Sequence, residues 1–373
     1  MVDTMALLPP FIRPTRMAGT PVGAAARPLP GLPADDEVLL DAPDDRLGPA
    51  LVAAARDDWE PAARLLAGTR ERAEWEDRDR YAHRLAAFAR SRGAWLDAWR
   101  AAAPDDPDVL LLTAQLAVDR AWPSPARAEL LREVSPLITA AARADDRDPV
   151  PWRVALDHAR GSRAGHRYFE ELWEAAVRRA PHHHGCHVAA LRYLAGSCRV
   201  PARNTHGTRG PHTPGARHDS LRACFDFADR AAQDAPADAL VQGLPVRAAF
   251  ACLAEDGPGV ERAGVERARL DAAADRAIAL SARCPAATPR YAELRNLLTY
   301  VLVRLGRHQD ALAQLRLIGP YATSYPWDRV SDDPLGLFLE LRADVRSVRL
   351  GPVPDPPDSG ETGRGRRAGT RGH

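Results

Sequence analysis

The chain has 373 residues, long for one compact core, and all 51 of its basic side chains are arginine, set against 50 acidic ones. The absence of lysine excludes the lysine of a G-x-x-x-x-G-K-[ST] phosphate loop, the strand lysine of a protein kinase and Schiff-base chemistry. Balanced charge leaves no global field that would draw the protein onto nucleic acid or an anionic surface, so neither specific nucleic acid nor a membrane is expected as a partner.

Hydrophobic residues make up 45% of the chain, but alanine dominates them and the β-branched and aromatic residues that strands favour are few, so helix is the expected element throughout. Asparagine (Asn204, Asn296) and isoleucine (Ile12, Ile138, Ile278, Ile318) are scarce alongside lysine, the codon signature of a GC-rich genome. Arginine in lysine's place favours bidentate ion pairs and stacking on aromatic faces. Five cysteines (Cys186, Cys198, Cys224, Cys252, Cys284), odd in number and without a C-x-x-C pair, read as isolated thiols of a reducing cytoplasm. The apolar patch Met5–Leu8 ends at Pro9-Pro10 without a preceding basic region and does not read as a secretory signal.

In chain order, residues 1–43 are rich in Pro and Gly without an apolar period and are expected to be disordered. A helical body spans 44–347. Asp58 caps a helix that tolerates Pro61 in its first turn. Tyr81, Leu85 and Phe88 form an apolar stripe before Gly93, and Trp95 with Trp99 starts the next helix. Ser124-Pro125 opens another, which Pro136 is expected to break or kink. From His166 to Ala180, Phe169, Leu172, Trp173, Ala176 and Val177 fall on one stripe with Glu and Arg opposite. Residues 197–217, rich in Arg, His, Gly, Thr and Pro, read as a loop insertion, and 348–373 as a disordered Arg/Gly-rich tail carrying Arg364, Arg366, Arg367 and Arg371.

An alanine-rich helix end followed by proline recurs at Pro104, Pro149, Pro181, Pro236 and Pro285, at steps of 45, 32, 55 and 49 residues, near the period of stacked helix pairs. The run Leu297–Ile318 resembles a tetratricopeptide repeat, with Gly306 at the tight turn, Ala311 at the close approach of the two helices, and Leu315 and Ile318 on the buried face. Leu302 stands where that family has Tyr. The middle of the chain is also similar to uncharacterised helical-repeat proteins of high-GC bacteria. The expected fold is therefore all-α: a tetratricopeptide-like solenoid of six or seven antiparallel helix pairs, without a β-sheet.

The resemblance implies a non-catalytic cytoplasmic scaffold that binds a protein or peptide on its concave face, with no cofactor. The alternative is a metal-dependent hydrolase built on the cluster His182–His187, where His183 and His187 lie one helical turn apart as two metal ligands would. No H-E-x-x-H and no spaced third ligand accompany them, and no catalytic residue is named. Within the insertion, His206, His212, His218, Arg199, Arg203, Arg209 and Arg217 mark either an anion-contacting flap or a solvated loop. The pairs Asp77/Asp79 and Asp145/Asp146 with Asp148 read as solvated helix ends, and the eight tryptophans mainly as core.

Overall fold

The structure, a computed structural model, describes residues 31–197, 214–254 and 265–350. These form fifteen α-helices: α1 Leu47–Ala54, α2 Glu60–Glu71, α3 Trp75–Ser91, α4 Ala94–Ala102, α5 Pro107–Ala121, α6 Arg127–Ala144, α7 Val150–Ser162, α8 His166–Arg179, α9 His184–Ser197, α10 Pro214–Asp234, α11 Leu244–Leu253, α12 Arg267–Ser281, α13 Pro289–Arg304, α14 His308–Ile318 and α15 Pro334–Leu350. Among the described residues, no helix is long and apolar enough to cross a membrane. The expected insertion and tail lie largely outside the described residues; α10 begins at Pro214 and α15 ends at Leu350.

Proline is placed where a helix tolerates it. Pro61, Pro107, Pro151, Pro245 and Pro289 occupy the first or second position of α2, α5, α7, α11 and α13, where the missing N–H has no intrahelical partner to lose. Of the break or kink expected at Pro136, the break does not occur, since α6 continues through it. The ring is exposed, while Leu131, Val134, Ile138 and Ala141 on the other face are buried, and that burial outweighs a penalty of about 3 kcal/mol.

The helices pack in two rows. Helices α3, α5, α7, α9, α11 and α13 each touch the next of their row, while α4, α6, α8, α10, α12 and α14 pack onto the row helices that flank them in sequence. Each proline of the recurring alanine–proline phrase lies just before a helix of the first row: Pro104 before α5, Pro149 before α7, Pro181 before α9, Pro236 before α11 and Pro285 before α13.

Two apolar clusters fill the space between rows, one running from Leu47 to Tyr193 and one from Val188 to Val345. They meet on α9, which gives Cys186, Ala189, Ala190 and Tyr193 to the first and Val188 and Leu191 to the second. A helix buried on nearly all sides cannot be amphipathic, and α9 is not. Trp95, Trp99 and Trp327 are fully buried, with Trp59 stacked on Trp99 at 5.6 Å. Trp122 and Trp152 are only half buried and carry guanidinium groups on their faces, Arg160 at 4.3 Å and Arg179 at 4.4 Å.

The N-terminal part of the described chain returns to the C-terminal part. Leu39–Leu40 (β1) pairs in parallel with Tyr321–Ala322 (β2), Leu39 N–H donating to Pro320 O at 2.7 Å and Asp41 N–H to Ala322 O at 2.5 Å. Asp41 accepts from Ser324 Oγ at 3.2 Å and from Arg84 of α3 at 3.1 Å, and Asp35 pairs with Arg342 and Arg346 of α15. This two-residue sheet was not expected, and neither was structure at 31–43. Both arise because Val38 is buried in the C-terminal cluster, a contact partner remote in sequence.

Within Leu297–Ile318, Gly306 adopts φ +71° between α13 and α14, and Arg307 N–H reaches Leu302 O at 2.8 Å, closing the end of α13. Ala311, Leu315 and Ile318 are all buried, Ala311 completely. Ala311→Leu is expected to cost about 1–3 kcal/mol by overpacking between α13 and α14, read as a lower urea midpoint at unchanged slope.

Candidate functional site

Several arginines are buried and tie helices together. Arg78 of α3, wholly inaccessible, lies 2.6 Å from Asp108 of α5 and 2.7 Å from Asp148 at the start of α7, and donates to Leu66 O of α2 at 3.1 Å. Asp148 also accepts Val150 N–H, the first of α7, at 2.8 Å. Among the described residues, Arg295 of α13 has no carboxylate partner. It donates instead to Ser281 O, Cys284 O and Pro285 O beyond α12 and to Ser281 Oγ, so the carbonyl end of α12 supplies its negative partner.

The first turn of α9 docks against α3. Glu76 accepts His184 N–H at 2.8 Å, a carboxylate on a helix N-terminus, and Asp79 takes Arg153 of α7 at 2.8 Å. An added Cβ on Gly185 would lie 2.0 Å from Asp79 Oδ2, so only glycine allows this approach. His183 Nδ1 is 3.1 Å from Cys186 Sγ, and its Nε2 is 3.3 Å from Trp75 O and 4.0 Å from both Glu76 and Asp79. Desolvation opposes the His183 imidazolium, but Cys186, Glu76 and Asp79 raise its pKa. Burial pushes the Cys186 thiol up, which leaves the two carboxylates as the charges that favour the imidazolium at neutral pH.

His187 engages different neighbours. Its Nδ1 meets His183 O at 2.9 Å, and its ring stands edge-on to Trp173 of α8 at 4.9 Å and 6.1 Å from Phe227 of α10. Burial brings its pKa down to about 4. His183 and His187 thus sit where the sequence puts them but serve different contacts, and the described residues hold no group of three or more His, Cys, Asp or Glu placed for a metal. His206 and His212 lie outside the described residues.

The row helices present charged side chains to one another. Glu76, Asp79 and His83 come from α3, Asp119 from α5, Arg153, Asp157 and Arg160 from α7, His184 and Arg192 from α9, Arg247 from α11 and Glu293 from α13. His83 is open to water, yet desolvation and then Arg153 lower its pKa, while desolvation raises that of Asp119. Against desolvation, Arg160, Arg192 and Arg153 hold the Asp157 carboxyl below its usual range. Desolvation, aided by repulsion from Arg192, Arg329 and Arg127, brings Arg160 down to about 10. Glu293 is held low, against desolvation, by Arg247 and Arg192, and it also feels His83. The two ends of the row are linked through Asp41, which takes Arg84 of α3 on one side and Ser324 Oγ, beyond α14, on the other.

A separate cleft of about 620 Å³ lies beside α15, lined by Tyr300, Arg304, Asp328, Glu340 and Asp344 among others, and it includes none of the residues that make the wall. The chain matches no protein-family model, no curated protein and no solved structure.

Sequence reasoning placed Asp79 and Asp148 at solvated helix ends; both are ion-pair partners, Asp148 almost fully buried. It did not single out Arg78, Arg153, Arg192 or Arg247. A usable signal existed for Arg78, which falls three residues before Tyr81 and seven before Leu85, on the apolar stripe itself.

Two outcomes follow. Arg78→Met leaves Asp148 buried without its cation and Asp108 with only the longer contact to Arg70 at 3.4 Å, and is expected to lose about 3–5 kcal/mol in urea unfolding. His187, with a folded pKa below the unfolded value, stays neutral while the unfolded chain binds a proton. Its stabilisation is therefore complete above about pH 6.5 and lost as pH falls toward 4, by up to about 3 kcal/mol. The difference between wild type and His187→Phe, measured from pH 7 to pH 4, isolates this slope.

Proposed function

We propose that the chain is a non-catalytic, cytoplasmic helical-repeat scaffold, tetratricopeptide-like, in which α4–α14 and the row helices form a solenoid of antiparallel pairs. Its ligand is a protein or peptide segment taken against the wall of α3–α13. The observation that carries this reading is the set of charged side chains that six row helices contribute, acidic groups and arginines paired between neighbouring helices at Asp79–Arg153 and Arg247–Glu293. Such a surface matches the polar backbone and mixed side chains of an extended polypeptide, and superhelices of this kind use their concave side in this way. The balanced charge favours a polypeptide over a nucleic acid or a membrane. The hydrolase alternative on His183 and His187 gains nothing from the geometry, in which the two rings address different neighbours.

Display of random peptides against the full chain tests the proposal. An enriched peptide should cross-link to a photoreactive residue at Glu293, on the wall, and not to one at Glu174, exposed on α8. No enrichment, or cross-linking only at Glu174, would contradict it.

A further inference from the structure

The charges on the wall are not evenly satisfied. Asp79 has Arg153, Asp157 has Arg153 and Arg160, and Glu293 has Arg247. Arg192, half buried on α9, makes no hydrogen bond or ion pair with any described residue. Its charge is opposed first by desolvation and then by Arg247, and it feels Asp157 and Glu293 only at longer range.

Arg247, 6% exposed, is itself incomplete. One terminal nitrogen pairs with Glu293, while Nη1 is buried without a hydrogen-bond acceptor. The Tyr325 ring lies under the guanidinium at 4.5 Å, and its phenol favours the charge both by coulombic attraction and as a side-chain hydrogen-bond partner, while Nη1 still has no acceptor in hydrogen-bond geometry. Two guanidinium groups, one held by stacking and one unpaired, are thus gathered where burial and mutual repulsion both disfavour charge. Such an arrangement is costly unless an anion completes it.

We propose that Arg192 and Arg247, with Tyr325 as backing, form the subsite for a carboxylate of the bound peptide. A carboxylate is preferred over a phosphate because only one cation is unpaired and Asp157 and Glu293 stand nearby, so a dianion would meet more repulsion than it relieves. The carboxylate has two sources, an Asp or Glu side chain or the peptide's C-terminus. The assignment rests on the peptide-binding reading for its biological ligand, while the subsite itself is open to test with a small probe.

The full chain is titrated with sodium acetate against sodium chloride at equal ionic strength, following the arginine Nε–H resonances and the melting temperature. Acetate is expected to shift one or two such resonances and to raise the melting temperature. In Arg192→Gln the apparent dissociation constant should rise about tenfold or more, the loss of one charge-assisted bond. Because Arg192 has no partner to abandon among the described residues, Arg192→Gln in chloride should melt at the same temperature as wild type or higher; a lower value would overturn the assignment. So would equal acetate responses in the two proteins, or tighter binding of inorganic phosphate than of acetate by wild type. Arg192→Lys, which keeps the charge but loses the planar fork, should bind acetate at intermediate strength. Enriched peptides with a free or amidated C-terminus, and with Glu changed to Gln, then separate the two sources. Acetate binding without any peptide ligand leaves the subsite standing and removes the peptide reading; peptide binding equal in wild type and Arg192→Gln does the reverse.

Discussion

Placing Arg78 out of water between Asp108 and Asp148 is the interaction on which the N-terminal half depends. Three helices, α3, α5 and the start of α7, meet on one guanidinium, and α2 adds Leu66 O. A buried arginine has five donors in a rigid plane, so each partner is held in direction as well as distance. Asp148, once desolvated, depends on this cation, while Asp108 adds a longer contact to Arg70 of α2 at 3.4 Å. In the C-terminal half, Arg295 does the same with carbonyl groups at the end of α12. A chain without lysine builds both joints from the cation whose weaker hydration suits burial.

These joints hold neighbouring helices of the row against one another. Alpha-helix α9 is the seam between the two apolar clusters, and its first turn is held against α3 by Glu76 and by the absence of a side chain at Gly185. From there α11 and α13 continue the row until β2, Asp41 and Arg84 connect the far end back to α3. Enclosure changes the chemistry of residues that would be ordinary on an open surface. His83 is reached by water yet disfavours its charged form, and Arg192 feels Arg247 across the wall.

The helical class was legible from composition and stripe, and the alanine–proline phrase preceded each row helix from α5 to α13, because a helix end rich in alanine and a proline that cannot continue that helix are both local requirements. The α13–α14 turn at Gly306 was legible for the same reason. The candidates His183 and His187 were placed in the right turn, but their partners, Trp75 and Glu76 for one and Trp173 and Phe227 for the other, come from other helices. Long-range pairing also hid the clasp at Leu39–Asp41, the burial of Asp148 and the unpaired state of Arg192. Local pattern carries no information on whether one arginine among fifty-one has a carboxylate opposite it.

The central claim is that the chain closes on itself, so that α3 and α13 share one enclosed wall. Amide hydrogen exchange at Leu39 and Asp41, whose N–H groups donate to Pro320 O and Ala322 O, reports this closure directly. Protection of these two amides comparable to that of the α13 amides is the result expected. Exchange at the rate of an unstructured peptide, with α13 still protected, would mean that the ends stand apart and that the wall is an open face.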